Sequence, residues 1–504
     1  MGRQFVCDYD FPVVRTRAGK IRGYLKDGIY HFKGVPYAQA KRFMRPEPVE
    51  PFDGILNCIS YGHVCPPSVP VVRNENDILY GFRSWPESED CQNLNIWTRN
   101  INDDARKPVL FYIHGGGLCW GSAVELKSYE AAAMTQDEDI VVVTINHRLN
   151  AFGFMNLNGY GDRYKDAVNV SFMDIEAALD WVIDNIALFG GDKDNITICG
   201  HSGGGFKVQA MMQIPSAAGK FQRAIVMSGC TDPSFDISEE QTEKITQALL
   251  KKLGISPGEI GELETIPYQR ILKDYMEIAP DVIPGRYYAN AWRPVANDYF
   301  KGYPLVSGYL PCNRDIPMMV GTAICEFGDK YFGIYSASTP DEKKEQLLAE
   351  RYGEKTEAVK AAFREAYPGK DLIDLFLLDD TFRDASLRLL DRRAAFTDAP
   401  LYSYMVAYDF KLYGGFPAWH NSEISLVFGS YEELPAFHED GLAKLSKEMM
   451  SSWAAFARNG DPNNANMPAW SRYTPDHCAT MLFDEKCEER IDFDRKLTEL
   501  VYGN

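Results

Sequence analysis

The stretch "ALDWVIDNIALFGGDKDNITICGHSGGGF", residues 178–206, changes its pattern three times. Apolar residues at Ile175, Ala178, Leu179, Val182 and Ile186 recur at helical spacing, and two glycines stop the run. "NITICG", residues 195–200, is short, apolar and β-branched, which predicts a buried strand. Gly200, Ser202 and Gly204 then fit G-x-S-x-G, and "FKVQAMMQI" at 206–214 continues as a helix from about residue 203. Five residues with three fixed positions recur by chance, so the placement decides. Between a strand and a helix the pattern predicts a sharp, strained turn that pushes a serine hydroxyl outward, with free N–H groups of the helix end behind it. A flexible glycine loop gives no reason for that junction.

Working outward, "KPVLFYIHGGG" (107–117), "DIVVVTINHRL" (139–149), "FQRAIVMSG" (221–229) and "DIPMMVGTA" (315–323) are further apolar runs. Alternation of such runs with helices predicts an α/β fold, a mostly parallel sheet covered on both faces. "VVRTRAGKIRGYL" (13–25) and "IYHFKGVPYA" (29–38) predict a small N-terminal sheet. From about 236 to 400 the pattern turns helical, as in "DEKKEQLLAERYGEKTEAVKAAFREAY" (341–367), and no Pro/Ser-rich linker interrupts the chain. The expectation is one catalytic domain over 1–504 with helical insertions within 236–400.

Composition sets limits on the partners. Of 504 residues, 45% are hydrophobic and 25% charged, enough apolar material for a large core. The net charge of -18 repels phosphate backbones, which argues against nucleic acid. The first twenty residues hold no apolar segment of the signal-peptide kind, and no run reaches transmembrane length. Eleven cysteines show no paired metal spacing, which predicts reduced thiols and a cytoplasmic protein.

A serine hydroxyl at neutral pH needs a base, a group that orients the base, and donors for the developing oxyanion. "HGGGL", His114 to Leu118, ends a strand upstream, where glycines let backbone N–H groups approach a ligand. Chain order in hydrolases with this turn is nucleophile, acid, histidine. That order sets aside His31, His63, His114, His147 and His201 and leaves His420, His438 and His477, the last two in segments that read as exposed loops. Glu326, just after a predicted strand, is one of many carboxylates eligible as the acid.

Several ordered segments together resemble the type-B carboxylesterase family, relatives of the cholinesterases with the α/β-hydrolase fold, and among them the bacterial members. The likeness runs from "VVRTRAGKIRG" to "WAAFARNGDPN" (453–463) and includes "SEDCQNLNIW" (88–97), "NHRLNAFGF" (146–154) and the stretch 178–205. "GTAICEFG" (321–328) aligns with the segment that carries the family's acid, and "AWHNSEISLVFG" (418–429) with its histidine segment. The resemblance thus implies catalytic Ser202, Glu326 and His420, and oxyanion donors on the backbones of Gly116, Gly117 and Gly203. It further implies that Phe235, Tyr288 and Trp292 line the substrate pocket, and that Cys65 and Cys91 match the family's first disulfide pair, which is reduced if the protein is intracellular.

The sequence also departs from the family pattern. His201 and Gly203 stand where the family usually has Glu and Ala around the serine, and Phe327 where it has Gly after the acid. An imidazole in place of Glu either removes a negative charge beside the base and favours neutral or anionic esters, or is a small packing change with no electrostatic consequence. The cholinesterase tryptophan that binds quaternary ammonium has no clear counterpart. The implied function is hydrolysis of small-molecule carboxylic esters through an acyl-enzyme, with no metal or organic cofactor. The alternatives are another acyl bond (thioester, amide, carbamate or lipid) or a non-catalytic binding protein on the same fold.

Overall fold

The computed structural model describes residues 4–68, 77–232, 238–283 and 292–503. Its main sheet has twelve strands. Lys107–Ile113 lies at the centre, parallel to Val141–Ile145 on one side and to Gly191–His201 on the other. Arg223–Met227, Met318–Ala323, Leu401–Val406 and Ala479–Phe483 follow in parallel outward from Gly191–His201. Beyond Val141–Ile145 the sheet turns antiparallel through Asn93–Thr98, Ile29–Pro36, Tyr24–Lys26 and Phe5–Val6. Glu488–Ile491 closes the other edge, also antiparallel.

The central strands are buried over 109–113, 141–145 and 196–201 because both faces are covered there. Successive residues of Lys107–Ile113 serve opposite faces. Val109, Phe111 and Ile113 join one apolar cluster, Leu110 and Tyr112 the other. The helix Val170–Asn185 packs Phe172, Ile175, Ala178, Leu179 and Val182 into the first cluster, as its periodicity predicts. The helix Leu442–Asn459 packs Leu445, Met449, Trp453 and Phe456 into the second.

The N-terminal sheet differs from expectation. Val13–Arg15 and Lys20–Arg22 do pair, and Ile55–Asn57 adds a third strand to this separate small sheet. Ile29–Pro36 instead belongs to the main sheet, between Tyr24–Lys26 and Asn93–Thr98. Its apolar residues explain the placement. Ile29 faces one cluster, Phe32 and Val35 the other, so the strand is stable only where both faces are covered.

Between Arg223–Met227 and Leu401–Val406 lie the helices Glu239–Leu253, Tyr268–Val282, Asp341–Tyr352, Thr356–Ala366, Leu372–Leu377 and Arg383–Phe396, with Met318–Ala323 among them. Glu239–Leu253 is set by its ends. Ser238 and Gln241 form a reciprocal capping box, and Gly254 closes the last turn at φ 79°. Among the described residues no helix is long and apolar enough to cross a membrane.

Candidate active site

Ser202 follows the strand Gly191–His201 and caps the helix Gly203–Met211. Its backbone sits at φ 56°, ψ -124°. For a residue with a side chain this conformation costs on the order of 1–3 kcal/mol, and the surroundings enforce it. The Ser202 N–H donates to Met227 O (2.8 Å), and its carbonyl accepts from Gly205 N (2.8 Å) and Phe206 N (3.2 Å). Strand and helix leave no room for side chains beside the turn. A Cβ on Gly200 would lie 2.4 Å from the backbone of Gly204, and one on Gly204 would lie 2.0 Å from Ile113 O.

The glycine loop after Lys107–Ile113 lies against this turn. Gly116 and Gly117 adopt φ 80° and 60°, and Gly116 O accepts from Cys119 N (3.3 Å) and Trp120 N (3.1 Å). A Cβ on Gly115 would touch Ser202 Cβ at 3.3 Å. A Cβ on Gly203 would lie 2.0 Å from Gly117 O and 2.5 Å from Gly117 N. Gly203 therefore lets the loop approach closer than an alanine after the serine permits. Among the described residues the N–H groups of Gly116, Gly117 and Gly203 donate to no carbonyl outside the regular elements and to no side chain. They remain available to a ligand.

Glu326 and His420 come from distant segments clamped together. Cys325 pairs with Trp419 in an isolated parallel bridge, and Cys325 N and His420 N donate to Ala418 O (3.0 Å) and Glu326 O (2.7 Å). In this clamp His420 Nδ1 lies 2.6 Å from Glu326 Oε2, while Glu326 Oε1 accepts from Ala323 N (2.8 Å). Glu326 is fully buried and His420 nearly so. His420 is enclosed by rings. Phe382 stacks parallel at 5.3 Å, and Phe327 and His201 lie tilted at 4.7 and 4.4 Å between centroids. The His201 ring adjoins both Ser202 in the chain and His420 in space, which brings the serine turn to the histidine clamp.

Phe327 takes an ordinary φ of -104°. The loop tolerates the side chain by turning it outward, and the ring is 42% exposed beside His420. His201 is fully buried, and burial together with the neighbouring His420 holds it well below the usual histidine range, so it is neutral. Its Nε2 lies 4.0 Å from Glu423 Oε1, which accepts from Tyr404 Oη at 3.1 Å. Burial, with Glu326 nearby, pushes the Glu423 carboxyl well up, so it holds its proton. A neutral pair thus stands beside His420.

The other expected residues divide. Phe235 and Tyr288 lie outside the described residues. Trp292 is fully buried, its ring 4.7 Å from Tyr275, and its backbone hydrogen-bonds the Cys119 thiol. His438 and His477 are exposed, as their segments suggest. Cys65 and Cys91 are free buried thiols, and burial with the neighbouring Cys65 pushes the Cys91 thiol up. Among the described residues no group of three or more His, Cys, Asp or Glu side chains is placed to hold a metal ion.

Three neighbours escaped the sequence reading. Phe382 stacks on His420 from a loop fixed by Asp379, whose carboxylate accepts from the N–H groups of Thr381, Phe382 and Arg383. Burial and Glu326 push the Asp379 carboxyl up to about 7. No local pattern marks Phe382. Glu423 stands three residues after His420, one turn of the next helix, and that spacing was a usable signal. Lys207, alone in the apolar run "FKVQAMM", was another.

A profile of the carboxylesterase family matches residues 10–499. An esterase of Clostridium hathewayi that hydrolyses aliphatic aromatic polyesters superposes with a TM-score of 0.93, at 40% identity over 99% of each chain. The para-nitrobenzyl esterase of Bacillus subtilis is 30% identical over 494 residues, 94% of this chain and 95% of its own. A Geobacillus stearothermophilus carboxylesterase superposes with a TM-score of 0.75 at 32% identity, covering 96% of this chain and 98% of its own. With the α/β-hydrolase sheet and a serine turn against a glycine loop, these likenesses establish that the chain belongs to the carboxylesterase family and is a carboxylic ester hydrolase.

Proposed function

We propose that the chain, folded as one catalytic domain, cleaves esters by two-step acyl transfer on Ser202, with His420 as general base and acid and Glu326 as its orienting carboxylate. The observation that carries this reading is the 2.6 Å contact of Glu326 Oε2 with His420 Nδ1 beside the strained serine turn. With Nδ1–H donated to Glu326, Nε2 is the free base that takes the Ser202 proton as Oγ attacks the carbonyl. The oxyanion is received by the N–H groups of Gly116, Gly117 and Gly203. His420 then protonates the leaving alcohol, and water repeats the sequence on the acyl-enzyme.

Two features favour esters that carry an aryl group. Phe327 presents a partly exposed ring beside His420, and the Clostridium hathewayi relative acts on aliphatic aromatic polyesters. The neutral His201–Glu423 pair adds no negative charge beyond that of Glu326 for a cationic ester to meet. The eleven free thiols support a reducing, cytoplasmic setting.

The test is Ser202→Ala with organophosphate labelling. Turnover is expected to fall on the order of 10⁴- to 10⁶-fold, with stoichiometric label on Ser202 in the parent protein. Label on another residue, or retained turnover, refutes the assignment. A terephthalate diester set against a dialkyl adipate reads the aryl preference, and equal kcat/KM for the two removes it.

A further inference from the structure

Lys207 occupies the helix Gly203–Met211, five residues after Ser202, and is fully buried. A buried ammonium is costly unless it is paired and hydrogen-bonded, and an apolar side chain of the same length would avoid the cost. The only hydrogen bond that the Lys207 ammonium makes among the described residues goes to His114 O, at 3.1 Å. That carbonyl is the last fixed point before the glycine loop. We propose that Lys207 is a positioning residue: its ammonium, reaching from the helix behind the nucleophile, grips the carbonyl of His114 and so fixes the direction in which Gly116 and Gly117 present their N–H groups. The assignment rests on the reading of those groups as oxyanion donors.

The loop needs such a grip. Gly115, Gly116 and Gly117 are consecutive, so the backbone itself restricts its direction least where direction matters most. The far end is held by the backbone and by amides. Asn150 N donates to Leu118 O (2.7 Å), and Asn150 Nδ2 and Ser68 N donate to Cys119 O (3.1 and 3.0 Å). At the near end Lys207 fixes the peptide plane between His114 and Gly115. That plane sets where the next two residues, at φ 80° and 60°, direct their amides.

The surroundings offset the cost of the charge only in part, because burial is the largest influence on Lys207 and lowers it. Glu125 is the carboxyl whose charge acts most on Lys207, and burial moves the lysine down and the glutamate up, each to about 7. The His114 and His147 rings stack at 4.8 Å and are held neutral by burial and by Lys207. The Cys119 and Cys65 thiols also feel the ammonium. Gly121 leaves space for this cluster, since a Cβ there would lie 2.8 Å from His114 Nδ1 and 3.1 Å from Glu125 Oε1.

The experiment compares a trifluoromethyl ketone, which adds to the serine as an oxyanion mimic, with its methyl ketone parent, which does not. Kinetics on a p-nitrophenyl ester and thermal unfolding accompany it. Lys207→Met is expected to lower kcat on the order of 10- to 100-fold, because misplacing a catalytic group by about 1 Å costs that much, and to leave KM within about twofold. The trifluoromethyl ketone should weaken by the same factor while the methyl ketone is unchanged. Lys207→Met combined with Glu125→Gln removes the stranded carboxylate and should keep the loss. The proposal is overturned if the ketone ratio stays at the parent value in either variant, if the double variant regains it, or if both variants merely unfold. A parent protein that binds the two ketones equally overturns the oxyanion reading itself.

Discussion

Glu326 Oε2 and His420 Nδ1 meet at 2.6 Å although ninety-four positions separate them in the chain. The clamp between Cys325 and Trp419 brings them together, and a carboxylate, which only accepts, favours the tautomer with its proton on Nδ1. Glu326→Gln keeps the shape and reverses the preference, since an amide N–H favours the tautomer with its proton on Nε2. A fall in kcat on the order of 10⁴-fold is expected with little change in Tm. His438→Ala and His477→Ala, both at exposed positions, should stay near the parent rate. A dead His438→Ala would transfer the base role away from His420.

His201 sets a pH dependence with a definite sign. Its folded pKa lies well below the unfolded value of about 6.5, so below that pH the unfolded chain binds a proton that the folded chain refuses. Its contribution to stability is complete above about pH 6.5 and is lost as pH falls. His201→Phe lacks this term. The stability difference should move in favour of the variant by about 1.4 kcal/mol per pH unit below 6.5. Parallel urea titrations at pH 7, 6 and 5 measure it. A constant difference would mean that the ring does take up a proton in the folded state.

Charge at the same position tests selectivity. His201→Glu places a second carboxyl beside Glu423 and His420 and should improve kcat/KM for a cationic ester over its neutral isostere, most at low salt. It should also raise the acidic-limb pKa of kcat/KM. An unchanged ratio and an unchanged profile would leave His201 as a packing residue.

Gly203→Ala examines the tight approach of the glycine loop. The new Cβ would meet Gly117 O at 2.0 Å, so the loop must retreat from the serine. A loss in kcat on the order of 10²-fold is expected, comparable to removal of an oxyanion donor. Organophosphate titration should still count one reactive serine per chain. Full activity would show that the loop finds an equally good position further out.

The thiols give a count. If the protein works in a reducing compartment, all eleven cysteines should react with a thiol reagent after denaturation without reductant. Nine would indicate one disulfide, with the neighbouring Cys65 and Cys91 as the pair.

The sequence by itself determined what depends on neighbours along the chain. Helical spacing before residue 190, the apolar run 195–200 and G-x-S-x-G fixed the strand–turn–helix at Ser202, because periodicity and glycine crowding are local effects. The order of motifs narrowed the base to three histidines, and only the resemblance to the family pointed to the segments that hold Glu326 and His420. Tertiary structure alone decided the rest. Ile29–Pro36 reads as part of a small sheet until Asn93–Thr98 is found beside it. Phe382 carries no local mark, and it reaches His420 only because Asp379 folds its loop there. Whether His201 is charged depends on burial, and whether Lys207 serves the glycine loop depends on where the His114 carbonyl points. Burial, charge state and direction belong to the packed ensemble of distant segments, and no window of the sequence contains them.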